Sequence, residues 1–235
     1  LLGSWKHNGG GAFYNNADIY NINKDTIEGL RFQNNKIRIL DQSRIGPILN
    51  NEIDALNGGD IVRGLFIQNT NPLVVAPETL KVRKGFLREN LFTCVHEQFM
   101  TETAKYADLL LPATSFVEHH DIYISGGHQH LTYGPKLIKN IGKSWSNNKV
   151  INSLGQKLGS KNRCFQLTDE EIINITLKKS NLGTLDDLKK NEYLDLQPEY
   201  KESNFLNGFG HKDKKFHFSP KWKKNDIKFN NLFNL

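Results

Sequence analysis

Three short apolar runs, each closed by a polar turn, set the pattern of the chain. Residues 63–68 (Arg-Gly-Leu-Phe-Ile-Gln) run into Asn69-Thr70-Asn71-Pro72; residues 91–95 (Leu-Phe-Thr-Cys-Val) run into His96-Glu97-Gln98; Leu109 to Leu111 run into Pro112-Ala-Thr-Ser. Runs of this length bounded by turn formers read as buried strands. Between the first two, residues 76–88 carry Leu80, Phe86 and Leu87 at helical spacing, with Pro77 and Glu78 suited to a first helical turn. Between the second and third, Met100 to Tyr106 predicts a helix of barely two turns. Strands alternating with helices form a parallel sheet, because each right-handed crossover returns the chain to the same edge. The expected class is therefore α/β, a Rossmann-like parallel sheet flanked by helices.

The flanking pattern is mostly helical. Asp41 or Ser43 can cap a helix over 48–56 that Asn57-Gly-Gly ends, and Arg38 to Leu40 reads as a short extended piece. Gly126-Gly127 predicts a turn into a strand over 128–133. Residues 146–158 place Val150, Ile151, Leu154 and Leu158 on one helical face, Thr168 to Glu171 form a capping box, and Thr184 opens a further helix through Leu188. Residues 205–220 read as a turn and a short edge strand that Pro220 ends.

In a parallel α/β sheet, ligands sit outside the carboxyl ends of the strands. Asn69-Thr70-Asn71, His96-Glu97-Gln98 and Thr114-Ser115 should therefore share one rim. Glu97 lies roughly a couple of dozen residues beyond the first strand end, in the region where an acidic residue of dinucleotide folds takes a ribose hydroxyl. The glycine-rich phosphate fingerprint is missing after the first strand, which argues against a plain nicotinamide-cofactor domain. After the third strand come His119, His120, His128 and His130 with Glu118 and Asp121, a group that invites a metal-hydrolase reading. Neither the i, i+4 histidine pair nor the glutamate-linked hydrolase pattern is present, so polar loop residues beside a cleft are the simpler account.

Composition narrows the classes. Lys+Arg of 31 against Asp+Glu of 25 gives a mild net charge of +6, with the excess gathered in Lys212 to Lys228. That stretch lacks the motifs and aromatic interleaving of a nucleic-acid surface, so no nucleic-acid partner is expected. Cys94 and Cys164 form no ligand or redox spacing. No apolar run approaches the ~20 residues of a membrane span. The first residue is Leu1 rather than Met, which points to a fragment; the expected compartment is cytoplasmic, or periplasmic if an upstream segment carries an export signal.

The strings Gln-Asn-Thr-Asn-Pro (68–72) and Val-His-Glu-Gln-Phe-Met-Thr-Glu-Thr-Ala-Lys-Tyr-Ala-Asp-Leu-Leu-Leu-Pro-Ala-Thr-Ser-Phe-Val-Glu (95–118) resemble the large catalytic subunits of the molybdopterin oxidoreductases, the dimethyl-sulfoxide-reductase family. The opening Gly-Gly-Gly-Ala-Phe-Tyr-Asn-Asn (9–16) is similar to their glycine-rich segment near the active-site funnel. The resemblance implies a bis-molybdopterin guanine dinucleotide carrying molybdenum or tungsten, a small-molecule substrate, oxo-transfer or formate-type redox chemistry, and in some members an electron-transfer subunit. It implies four stretches: a glycine-rich loop and lead-in helix (1–59), an α/β dinucleotide-binding domain (60–160), a helical segment (161–210), and a short strand and tail (211–235) leading to a β-barrel domain. By similarity, Asn69, Thr70, Asn71, Pro72, His96, Glu97, Gln98, Thr101 and Thr114 would contact one guanosine end of the cofactor. The pyrophosphate would lie at the start of the Met100 helix. Asp108, at the start of its strand, reads as structural. The metal ligand and any iron–sulfur cysteines are expected upstream of Leu1, so no catalytic residue is assigned within the chain, and the chain alone is expected to be inactive. The rival readings are a non-catalytic nucleotide-binding α/β module and the histidine-rich metal hydrolase.

Overall fold

The computed structural model describes residues 3–11, 17–29, 32, 34 and 36–218. Two units make up the chain: Ala17–Leu196, and a smaller one of Leu1–Asn16 with Gln197–Leu235. Among the described residues the larger unit holds two three-stranded sheets.

The first sheet is the parallel one. β1 (Gly64–Gln68), β2 (Phe92–Glu97) and β3 (Leu109–Pro112) lie in the order β1-β2-β3, with Gln68 beside His96, His96 beside Leu111, and Glu97 beside Pro112. Side chains alternate along a strand, so Leu65, Ile67, Thr93 and Val95 share one face and Phe66, Phe92, Cys94 and Leu109 the other. Ile67 and Val95 pack with Leu49, Leu73, Val82 and Phe86 into the main core. The helices supplying those partners are α2 (Ile45–Leu49), α3 (Pro72–Val75) and α4 (Thr79–Phe86), which follow a single-turn α1 (Asp25–Glu28). α2 and α4 approach closely because Gly85 has no side chain: a Cβ there would stand 2.3 Å from Leu49 Cβ.

The helices are shorter than periodicity predicts. The helix expected over 48–56 is divided into α2 and a 3₁₀ turn at Ile53–Ala55, because the Asn50 amide donates to the Gly46 and Lys81 carbonyls and Asn51 takes a left-handed φ of 62°. Asp41 does cap, but it caps a 3₁₀ turn at Gln42–Arg44. The helix expected over 76–88 is found as α4 but is shorter at both ends: α3 precedes it, ending at Val75, and Glu78, at φ 56°, delays the start of α4 to Thr79. The buried face of α4 is Val82, Gly85 and Phe86, whereas Leu80 and Leu87 point outward. At Met100 there is no helix; Thr101 Oγ1 accepts from the Ala104 N–H and a 3₁₀ turn follows at Ala104–Tyr106. The pyrophosphate site expected at a helix start there is thus removed.

The second sheet is antiparallel, β4 (Asp121–Tyr123), β5 (His130–Gly134) and β6 (Tyr193–Asp195) in that order. Only β5 was legible in the alternation of the sequence. Leu131, fully buried at its centre, packs with Tyr20, Ile173, Leu177, Leu185 and Leu188. Three further helices complete the unit: α5 (Asn147–Lys157), α6 (Asp169–Lys179) and α7 (Leu185–Asn191). Ser146 caps α5, and Thr168 with Glu171 forms the expected capping box of α6. α5 buries Val150 and packs Gly155 on the Phe165 ring, while Leu158 is exposed. In the smaller unit, α8 (Tyr200–Ser203) precedes turns in which Phe209 stacks on Phe205 and meets Phe216 edge-on. Residues 211–218 form those turns and not the edge strand expected; Lys214 at φ 58° breaks the extended run. Pro220 and the residues after it, like Ala12 to Asn16 of the glycine-rich segment, lie outside the described residues.

Candidate functional site

The strand register brings the loops after β1, β2 and β3 to a common rim. Neighbouring strands in a sheet are ~4.8 Å apart, so residues 69–72, 98–101 and 113–115 begin within about 10 Å of one another. Asn69 turns the chain sharply through a left-handed φ of 57°, and Pro72 takes the first position of α3, where its missing N–H is no loss.

The loops are then tied to each other. Asn71 Oδ1 accepts from the Thr103 N–H (3.2 Å) and hydroxyl (2.7 Å), and Thr103 Oγ1 accepts from the Leu73 N–H (3.1 Å). Thr103 is wholly buried. It clips the first loop to the second, a role the sequence reading missed although Thr103 stands inside the family string. Gln98 Nε2 donates to the Thr114 carbonyl (2.8 Å), which ties the second loop to the third. Beneath the third loop, the buried Glu118 carboxylate accepts from the Ser115 N–H (2.8 Å), the Ile141 N–H (2.6 Å) and the Ser144 hydroxyl (3.0 Å). These bonds, the Ile141 and Ser115 backbone N–H groups foremost, hold its pKa down to about 2.

The nine residues expected at the site separate into two sets. His96 is buried under the rim: the Trp145 carbonyl can only accept, so Nε2–H donates to it (3.0 Å), and Nδ1 accepts from the Gln68 amide (2.8 Å). Thr114 Oγ1 is spent on His119 Nδ1 (2.8 Å), Thr101 caps the 3₁₀ turn, and Pro72 is buried. These four support the loops. Asn69, Thr70, Asn71, Glu97 and Gln98 form the outward set. Among the described residues the Thr70 hydroxyl, Asn71 Nδ2 and Glu97 Oε2 make no hydrogen bond within the chain; Glu97 Oε1 accepts from the Gln98 N–H (2.7 Å). A carboxylate oxygen, an amide donor and a hydroxyl left over at one rim match what a purine edge and a ribose diol present. A groove of about 670 Å³ starts at this rim, with Gln68, Thr70 and Pro72 in its wall, and continues along β1.

Asp108 lies at the opposite rim, where its carboxylate accepts from the Thr93 N–H (2.7 Å), the structural role expected. The histidines do not assemble. His119 is bonded to Thr114, His120 Nδ1 accepts from the Tyr133 hydroxyl (2.6 Å), and His128 stacks on His130. Among the described residues no three His, Cys, Asp or Glu side chains are placed to hold a metal ion, which removes the metal-hydrolase reading for them.

The model of the molybdopterin oxidoreductase family matches residues 8–157, well over half of the chain. The chain belongs to the molybdopterin oxidoreductase family. It is 38% identical over 178 residues to the probable oxidoreductase YoaE of Bacillus subtilis, a match covering 75% of this chain and 25% of that protein. It is 31% identical over 147 residues to the assimilatory nitrate reductase catalytic subunit of the same organism, covering 63% of this chain and 20% of the reductase. The fold is similar to that of a solved structure, the acetylene hydratase from Pelobacter acetylenicus, with a TM-score of 0.55 at 18% identity over 73% of this chain and 23% of the hydratase. The chain thus spans about a quarter of the length of these relatives.

Proposed function

We propose that the rim binds the guanosine end of a molybdopterin guanine dinucleotide within the catalytic polypeptide of a molybdenum or tungsten oxidoreductase. The observation that carries this reading is the convergence of three mutually tied loops that leave Glu97, Asn71 and Thr70 with unspent polar atoms. Glu97 would take a ribose diol or the guanine N–H edge, and the Asn71 amide and Thr70 hydroxyl the remaining donors and acceptors. His96, Thr101 and Thr114 would act by holding the loops. The cofactor, when bound, supplies a metal centre that cycles between oxidation states. This chain's part is to fix one end of it. Nitrate reductase and formate dehydrogenase subunits are among the relatives, so the parent reaction is assigned to the same class, a redox conversion of a small oxygen-bearing substrate. Among the described residues no helix is long and apolar enough to cross a membrane.

A hydrogen bond to a charged group is worth about 1.5–3 kcal/mol, or roughly 10- to 150-fold in affinity. Glu97→Ala in the full-length polypeptide should therefore lower cofactor occupancy by at least about tenfold at limiting cofactor. Occupancy is read as guanosine monophosphate released by acid hydrolysis, per polypeptide, alongside bound metal. Glu102→Ala, an exposed residue paired with Lys105, is the control and should leave occupancy unchanged. Equal occupancy in Glu97→Ala and wild type would overturn the assignment. Guanine nucleotide recovered without metal or pterin would replace it with a plain nucleotide-binding module.

A further inference from the structure

A concentration of positive charge lies between Asp121 and Asp169, where the sequence holds six lysines, one arginine and no Asp or Glu. All seven basic residues are exposed, and among the described residues none of them forms a salt bridge. Lysines elsewhere do pair: Lys24, Lys81, Lys105 and Lys189 each meet a carboxylate. Charge of one sign left unneutralised on a surface sets up a field that draws an anionic partner.

The densest part of this stretch is the loop 136–143, Lys-Leu-Ile-Lys-Asn-Ile-Gly-Lys, which lies between β5 and α5. Leu137, Ile138 and Ile141 are 70%, 44% and 68% exposed, so three aliphatic side chains face solvent among three lysines. Clustered exposed apolar groups rimmed by charge mark a contact surface. The backbone beneath them is fixed. The Leu137 and Ile138 N–H groups donate to the Val117 carbonyl (2.8 and 3.1 Å), the Ile141 N–H to Glu118 Oε1 (2.6 Å), and the Asn140 amide to the Ser144 carbonyl (3.0 Å). A loop tied in this way loses little conformational freedom when it docks.

We propose that this loop docks the protein on an anionic membrane surface, with Leu137, Ile138 and Ile141 entering the headgroup boundary and Lys136, Lys139 and Lys143 meeting lipid phosphates. The composition favours a membrane over other polyanions. Nucleic acid is bound through stacking aromatic rings and arginine, and the loop contains neither. Protein interfaces are depleted in lysine and enriched in arginine and aromatic residues. Lysine beside aliphatic side chains suits a lipid interface, because the lysine stem lies along the apolar layer while its charge stays at the headgroups. Each lysine near an anionic leaflet changes affinity about fivefold, so three together act by about a hundredfold. This inference does not depend on which ligand the rim takes.

The test is co-sedimentation of the full-length natural polypeptide with lipid vesicles. Phosphatidylcholine vesicles containing about a third phosphatidylglycerol should bind it at least about tenfold more tightly than pure phosphatidylcholine. Raising salt from about 0.1 M to about 1 M shortens the screening length from about 10 Å to about 3 Å and should remove most of that difference. Lys139→Glu combined with Lys143→Glu should weaken binding at least about twentyfold. Leu137→Ser combined with Ile138→Ser should weaken it at least about tenfold, with the melting temperature unchanged because both side chains face solvent. Lys84→Glu on α4 is the control and should leave binding as it is. Equal binding to both vesicle types, or none, overturns the proposal. So does binding that needs the lysines but not Leu137 and Ile138, and so does tighter lysine-dependent binding to duplex DNA, which would make the loop a nucleic-acid contact.

Discussion

Glu118 shows how much a single side chain can organise. Its carboxylate accepts from three donors on two segments, and its pKa lies at about 2 against an ordinary 4.5. A group whose folded pKa is depressed adds stability that is complete above its unfolded pKa and disappears as pH falls toward the folded one. The contribution of Glu118 is therefore present above about pH 4.5 and lost between there and about pH 2. Glu118→Gln should melt at a lower temperature at neutral pH and lose less on acidification to about pH 3, because its amide has no charge to titrate. Thermal melts of both proteins across that range check this, and parallel curves would contradict it. Thr103 is the other organising residue. Thr103→Val keeps the shape but removes the hydroxyl between Asn71 and Leu73, and should cost about 1–3 kcal/mol in urea unfolding, with looser binding at the rim. Neither role was legible beforehand. In the sequence Glu118 was only grouped with the neighbouring histidines, since two of its partners, Ile141 and Ser144, lie more than twenty residues away. His96 was assigned outward for the same reason: its partner Trp145 is remote, and the pattern of a strand end says which face a residue takes but not what covers it.

Among the elements, strands were read more accurately than helices. The three apolar runs became three parallel strands in sequence order, since a buried strand needs nothing beyond its own run and a turn. The helices before and after β1 were overextended. Periodicity does not register that Asn51 and Glu78 adopt left-handed conformations, and at Met100 a capping threonine favoured a 3₁₀ turn. β4 and β6 escaped notice because three-residue strands offer too short an alternation to count. The close crossing of α2 and α4 leads to a prediction that opposes propensity. Alanine is favoured over glycine in a helix by about 1 kcal/mol, yet Gly85→Ala should destabilise, because its Cβ would overlap Leu49. A net loss of about 1–3 kcal/mol in denaturant midpoint analysis is expected. A gain would mean that α2 can move aside freely.

At the scale of the whole molecule, the parallel sheet packs an apolar core on one face, while on the other Cys94 and His96 are buried and Phe66, Phe92 and Leu109 are exposed among the described residues. The rim is held from within the chain: its loops are tied through Asn71–Thr103 and Gln98–Thr114. The loops were predictable as a group, because the carboxyl ends of parallel strands must meet, and the family string spans two of them. The division of labour within the group was not, since it depends on which polar atoms the fold consumes. A crystal structure of the full-length polypeptide loaded with its cofactor tests the central claim most directly. It should show a guanine or its ribose within hydrogen-bonding distance of the Glu97 carboxylate, with Asn71 or Thr70 completing the contact. A cofactor whose guanosine ends lie away from the loops after β1, β2 and β3 would contradict the account.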